Sequence, residues 1–258
     1  MKGRAGVVAF AAVVLFCLVT PVVSGHDPRA PDLGRALLPP GVEHWLGTDQ
    51  LGRDLLTRTA AAGRTSLLFA LAITAVTTLL GTVSGAAAGL AGGWAERLLR
   101  FAATVALALP GLTLALALAG VLLPGAMTVL VALVPLGWVN CGLVTATATR
   151  RVAASGYVLA VRAIGASPSY LLRRTIGPHI AGTVLTVATA DFARTLVAVT
   201  SLGFLGVGLP PPDTDWGGMV SEATPLLVAA PRLAVVPALA LAVTGLAVAL
   251  VVDARRTG

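Results

Sequence analysis

A helix that crosses a bilayer needs about 20 consecutive, mostly apolar residues. Six stretches of this chain of 258 residues meet that requirement: 5–23, 66–90, 98–123, 127–148, 180–199 and 233–252. Six runs of that length are too many to bury in one soluble core. Only 11% of the residues are charged, against about a quarter in a soluble domain. A disordered tail, a disulfide-stapled secreted mini-protein and an ordinary soluble enzyme are excluded. The pattern predicts an all-α membrane protein with six transmembrane helices.

Most of these runs are rich in Ala, Gly, Val and Thr. Small residues let helices approach closely in lipid, where packing supplies the adhesion. Gly81, Gly85 and Gly89 recur every four residues and predict such a face on the second run. Pro110, Pro135 and Pro237 fall inside runs and are expected to kink them. The first run follows Lys2 and Arg4 and ends near Val22-Val23-Ser24, a loose likeness to a signal-peptide cleavage site. With Val rather than Ala at position 22, it reads as an uncleaved, anchor-like first helix. Cys17 and Cys141 lie within apolar runs and read as small buried hydrophobes. His26, His44 and His179 are scattered, with no metal-ligand spacing.

Charge sets the expected topology. With both termini inside, the inner segments hold eleven basic residues against two acidic, and the outer segments six against eight. The Lys/Arg bias favours this N-in, C-in arrangement, although the long outer segment after the first run carries five arginines. Asp191 and Arg194 form a further neutral pair at i,i+3 within the fifth run. Intramembrane charges are functional candidates by default, and here a structural pair is the simpler reading. The net charge of +7 is read as topology, and no nucleic-acid partner is expected.

Three segments outside the runs carry the most information. In 44–54, Thr48 or Asp49 is placed to cap a short outer helix, with Asp49–Arg53 and Asp54–Arg58 as i,i+4 ion pairs. Its simplest reading is a solvated helix leading into the second run. In 150–178, Tyr157, Ala160, Val161 and Ile164 give an apolar stripe at helical spacing. Gly165 can end that helix in a left-handed conformation. Ser167 and Pro168 then supply the N-cap and first position of a second helix, which Gly177-Pro178 is expected to stop. A surface helix held by anionic lipid is one reading of this segment. Its built-in bend points instead to a plug for a partner's groove. In 201–227, glycines and three prolines at 210–212 make the chain too broken for a helix, and too apolar for a free loop. It reads as a re-entrant hairpin packed on protein.

In these segments the chain resembles the inner-membrane permease subunits of peptide-type ABC importers, the dipeptide, oligopeptide and nickel permeases, specifically the second of the two paired subunits. The outer motif H-P-L-G-T-D-x-L-G-R-D-x-L-S-R is met by His44, Gly47, Thr48, Asp49, Gly52, Arg53, Asp54 and Arg58, with Trp45 for proline and Thr57 for serine. Gly63, Arg64 and Ser66-Leu67 continue it. Gly89–Trp94 with Glu96 and Arg100 resembles the family's G-x-x-G-G-W-x-D stretch. The cytoplasmic E-A-A-x-x-x-G…I-x-L-P motif is matched at Ala160, Gly165 and Pro178. Leu159, Val161, Thr175 and Gly177 depart from it. The outer hairpin matches through Leu202, Phe204, Leu205, Gly206, Gly208, Pro211, Pro212, Trp216, Gly217 and Met219. Leu159 and Val199 stand where the family has glutamates, so acidic contacts are lost. The polar C-terminal stretch is reduced to Val252-Asp253-Ala254-Arg255.

The resemblance implies a type I ABC importer permease fold with cytoplasmic coupling helices, in the bacterial plasma (inner) membrane. It implies a second homologous permease subunit, two cytoplasmic ATP-binding subunits and an extracytoplasmic substrate-binding protein as partners, besides the lipid bilayer. Tyr157, Ala160, Ala163, Ile164, Gly165, Ala166, Ser167 and Pro178 would seat in an ATPase cleft, with Arg162, Arg173 and Arg174 at its edges. The outer hairpin (Phe204, Leu205, Gly206, Gly208, Pro211, Pro212, Trp216 and Gly217) would act as a gate. The implied organisation is a first transmembrane helix at 1–25, an outer segment with a short helix at 26–65, and a permease core of five transmembrane helices at 66–258.

No catalytic residue, metal ligand or cofactor site is expected in the chain; ATP and Mg would be bound by the ATPase partners. Its only lysine is Lys2, so no Walker-A loop exists. The Gly203–Gly208 glycines loosely mimic a nucleotide-binding loop but lack a βαβ setting. The expected function is passage of short peptides, or of nickel or a metal chelate. An ion-coupled secondary transporter is the alternative and would normally show inverted repeats and intramembrane carboxylates, of which Asp191 is the one clear case. A membrane-embedded enzyme would need polar catalytic residues within the runs.

Overall fold

A computed structural model describes residues 2–122 and 125–257. These residues are mainly helical, with a single isolated bridge, Thr48 to Asp54, and no strand among them. The helices are α1 (Lys2–Val23), α2 (Leu55–Ala91), α3 (Gly93–Ala108), α4 (Gly111–Leu122), α5 (Ala126–Ala153), α6 (Gly156–Ala163), α7 (Pro168–Tyr170), α8 (Gly177–Phe204), α9 (Trp216–Ala223) and α10 (Arg232–Thr257). Short 3₁₀ turns occupy Leu33–Arg35 and Thr224–Leu226, and Leu171–Ile176 is a π-helix. Five of the described helices are long and apolar enough to cross a membrane, and the pair α3–α4, bent by 79°, brings the candidates to six if it counts as one broken span.

Two local expectations are corrected, and the kink expected at Pro110 is met by a full break. The outer helix at 44–54 does not form; helix begins at Leu55 instead, eleven residues before the second apolar run. Asp54 caps that start, its Oδ2 accepting from Thr57 N at 2.8 Å and from Thr57 Oγ1 at 2.7 Å. The third run is broken at Leu109-Pro110, where proline lacks the N–H that would continue α3. Its expected last residue, Leu123, lies outside the described residues. By contrast, α5 and α10 run on through Pro135 and Pro237.

Gly177-Pro178 does not stop the seventh helix either. The chain from Pro168 to Phe204 is helical throughout, by way of the π-helix. There the N–H of Gly177 reaches back five residues to Leu172 O, and the wider turn makes room for the proline ring that follows.

The chain divides into two compact units. The first comprises Met1–Leu71, Ala115–Val129 and Ala193–Gly258. Here α1 lies against α10 through glycine: a Cβ at Gly6 would stand 2.8 Å from Ala247 O. Cys17, Leu55, Ala62, Trp216, Met219 and Leu233 form its apolar core. Arg64 Nε ties α2 to α1 by donating to Cys17 O at 2.7 Å.

The second unit comprises Ala72–Leu114 and Leu130–Phe192. The predicted glycine face is its seam. Cβ atoms at Gly81, Gly85 and Gly89 would overlap the carbonyl oxygens of Trp138, Gly142 and Ala146, the same four-residue rhythm on α5. Backbone meets backbone along α2 and α5, the contact small residues permit in lipid. In α8, Asp191 Oδ1 accepts from Asn140 Nδ2 of α5 at 3.3 Å.

Candidate functional site

The bent segment of the second unit is built as its sequence predicts as far as Ser167-Pro168. Gly165 has φ +90°. Its N–H bonds Arg162 O at 3.0 Å, and Ala166 N–H bonds Val161 O at 3.4 Å. This pair of bonds is a Schellman closure, which needs a left-handed residue at Gly165. Ser167 Oγ then accepts from Tyr170 N at 3.3 Å, with Pro168 in the first helical position. Sequence chemistry sets both the stop and the restart.

Packing decides which face of this segment is free. Val158, Leu171, Ile176 and Ile180 are buried together, with Val152, Val161 and Ala166 against them. The predicted stripe is therefore split: Val161 faces the core, whereas Tyr157, Ala160 and Ile164 are exposed, Ile164 to 85%. Leu159, Ala163, Gly165, Ser167, Tyr170 and Pro178 are exposed beside them, as are Arg162, Arg173 and Arg174. Ala166 is half-buried. The Tyr157 ring lies 5.2 Å from that of His179, whose Nδ1 donates to Thr175 O at 2.7 Å. An apolar, basic-edged surface thus stands on a short helix whose other side is anchored.

In the first unit the outer-motif residues come together, in the interior rather than on a solvated helix. Asp49 fills all its acceptor positions: Oδ1 takes Leu51 N (2.8 Å) and Arg53 N (3.0 Å), and Oδ2 takes Arg53 Nε (2.7 Å) and Arg58 NH1 (2.9 Å). Arg58 NH2 continues to Glu222 Oε2 on α9 at 2.6 Å. The expected Asp49–Arg53 pair is present. For the expected Asp54–Arg58 pair the structure substitutes Asp54 on His44 and Thr57, and Arg58 on Asp49 and Glu222. Thr48 Oγ1 accepts from Leu38 N at 2.8 Å and donates to Arg35 O. Gly47 (φ +79°) and Gly52 (φ +76°) turn the chain between these groups, where a Cβ would strike the carbonyls of Leu38 and Asp32. Glu222 is a partner that sequence spacing does not reveal, since it comes from 164 positions away.

Segment 201–227 holds the end of α8, a loop, α9 and a 3₁₀ turn. Helix α8 closes by the same two-bond device: Gly206 (φ +80°) donates to Gly203 O at 3.0 Å, and Val207 to Leu202 O at 2.9 Å. Phe204, Leu205, Gly206, Pro211 and Pro212 are exposed, whereas Gly208, Trp216 and Gly217 are buried. Asp215 caps α9, its Oδ1 accepting from Gly217 N (2.7 Å) and Gly218 N (3.0 Å). Burial raises its carboxyl pKa against the pull of those two donors. Trp216, fully buried, donates from Nε1 to Thr59 O at 2.9 Å and from its backbone to Ser66 Oγ at 3.1 Å. Gly203, Gly208 and Gly217 leave room for the Asp215 carboxylate and the Thr200 carbonyl.

These features are those of a membrane permease subunit. The family of binding-protein-dependent transport system inner membrane components matches residues 78–256, and the chain belongs to it. It is thus an inner-membrane component of a transport system, with the type I ABC permease fold. The nickel transport system permease protein NikC of Escherichia coli (strain K12) is 33% identical over 257 residues, 98% of this chain and 91% of that protein. The oligopeptide transport system permease protein OppC of Bacillus subtilis (strain 168) is 31% identical over 222 residues, 86% of this chain and 73% of that one. The dipeptide transport system permease protein DppC of the same organism is 30% identical over 224 residues, 87% and 70%.

Proposed function

We propose that this chain, with a second homologous permease subunit, encloses the path of an ATP-driven importer for short peptides or a related small solute, nickel or a metal chelate. Two cytoplasmic ATPases would bind ATP and Mg and drive it, and an extracytoplasmic binding protein would deliver the solute. The names of NikC, OppC and DppC support the substrate range. The Lys/Arg asymmetry supports N-in, C-in, with the bent segment 150–178 inside.

One observation carries the coupling role. The α6 helix exposes Tyr157, Leu159 and Ile164 beside Arg162, while Val158 fixes its other face. An exposed apolar face on an anchored element suits a rigid partner's cleft. Closure of the ATPase pair would push on this element and tilt the spans attached to it between two arrangements. Leu159 offers that cleft an apolar side chain where the family presents an acid. The chain itself carries no catalytic role in this scheme, and the loop with Phe204, Leu205 and the exposed prolines would flank the outer gate.

The test is reconstitution of the complex in proteoliposomes, with uptake and ATP hydrolysis both measured. Gly165→Arg is expected to abolish coupled uptake while leaving the subunit in the membrane. The purified chain alone is expected neither to bind nor to hydrolyse ATP. Uptake sustained by the isolated chain would overturn the reading.

A further inference from the structure

The loop after α1 brings together three groups that lie apart in sequence. Ligand atoms of His26, Glu43 and His44 all fall within 4.8 Å of one another. The two imidazoles stand 4.8 Å apart, centroid to centroid, with their planes inclined at 46°. The reading of the histidines as scattered is corrected here: the fold returns the 43–44 turn to the start of the loop.

His44 is prepared on one side only. Its Nδ1 lies 3.0 Å from Asp54 Oδ1, and a carboxylate can only accept, so Nδ1 carries the proton. Asp54 is itself held by Thr57 through its other oxygen. In the neutral imidazole the lone pair then sits on Nε2, which is buried and has no hydrogen-bond partner among the described residues, in a residue only 6% exposed. A buried acceptor left unpaired is costly. The carboxylate–imidazole arrangement is the outer-shell pattern that orients histidine toward a metal.

We infer that His26, Glu43 and His44 form a binding site for a divalent transition-metal ion such as Zn²⁺ or Ni²⁺, with Asp54 as its outer-shell support. Two imidazoles and a carboxylate are a donor set for borderline ions, not for Mg²⁺ or Ca²⁺. Tetrahedral ligands about 2.1 Å from an ion stand about 3.4 Å apart, so the three groups must close by roughly 1 Å. His26 is half-buried and Glu43 exposed, so both side chains can move inward while His44 stays fixed. Arg35 donates to Oε1 of Glu43. A bound ion would strap the start of the loop to the turn that caps α2. This site stands on its own geometry, whichever solute the subunit passes.

The test uses the full chain in nanodiscs, purified through a tag free of histidine, and titrated separately with ZnCl₂, NiCl₂ and MgCl₂. One Zn²⁺ or Ni²⁺ per chain is expected, with a rise in unfolding temperature that EDTA reverses. Losing a ligand should weaken binding by more than the about 10–100-fold that loss of an outer-shell partner costs. His26→Ala, which removes no core contact, and Glu43→Gln should both show that loss with the metal-free unfolding temperature unchanged. Because His179 remains in each variant, the loss is assigned to the cluster. Equal affinity in wild type and His26→Ala would overturn the site, as would Mg²⁺ binding as tightly as Zn²⁺.

Discussion

Arg58 and Glu222 are separated by 164 positions, yet Arg58 NH2 lies 2.6 Å from Glu222 Oε2. Through its other arm Arg58 holds Asp49, so the loop, the start of α2 and helix α9 share one ion network. Removing one member of a buried pair strands a charge, at a cost of about 3–5 kcal/mol. Asp49→Asn, at a side chain 1% exposed, should show that full loss in a thermal unfolding scan. Glu222→Gln, 31% exposed, should cost about 1 kcal/mol or less. Equal midpoints for the two variants would show that burial does not govern this network.

The seam of α2 on α5 has no room for a side chain. Gly85→Val drives a branched group into the Gly142 carbonyl and should cost at least the about 1–3 kcal/mol of overpacking. Gly245→Ala, with nothing within 4 Å, is the matched control. Size-exclusion chromatography of the two variants measures the difference. A monodisperse Gly85→Val at wild-type yield would contradict the close approach.

Asp215 gives a pH dependence of defined sign. Its folded-state pKa is raised above the ordinary 3.8, so the fold favours the protonated carboxyl. That contribution is complete below the ordinary value and is lost as pH rises through the folded one. Asp215→Asn keeps the oxygen that both glycine amides use and removes the charge, so it should flatten this part of the stability profile. Asp215→Ala removes the cap and should cost about 0.5–2 kcal/mol. Unfolding midpoints followed from pH 4 to 8 separate the two. A steeper profile for Asp215→Asn would reverse the assignment.

Trp216 is buried, whereas Trp45 and Trp94 are exposed. Trp216→Phe should lose the blue-shifted part of the intrinsic emission, and about 1 kcal/mol for the bond to Thr59 O. Trp216→Ala should cost about 3–5 kcal/mol. An unchanged emission maximum in Trp216→Phe would count against its burial.

The spans were legible because about 20 apolar residues in succession have one reading, and the Gly81–Gly85–Gly89 rhythm already specified a close helix contact. Gly165, Ser167 and Pro168 declared a stop and a restart through backbone conformation and capping alone. Of the ion network only the Asp49–Arg53 pair was legible: arginines near acids in a loop look solvated until a distant Glu222 helps to bury them. The start of α2 had a local signal in Asp54 with Thr57 three residues on, but competed with an equally good cap at Thr48-Asp49. The π-turn before Pro178 overrode the ordinary rule because a continuous helix can widen instead of ending. Nothing in the spacing of His26 and His44 announced their meeting, since they stand 18 positions apart along largely irregular chain.

The π-turn has a geometric corollary. An α-helix advances about 100° per residue, so one residue taken up in a wider loop resets the angular phase of everything on its N-terminal side. Leu171–Ile176 therefore sets the azimuth at which Tyr170 and the exposed face of α6 are presented relative to the first turns of α8. Wound as ordinary α-helix, the same residues would present that face at a different azimuth.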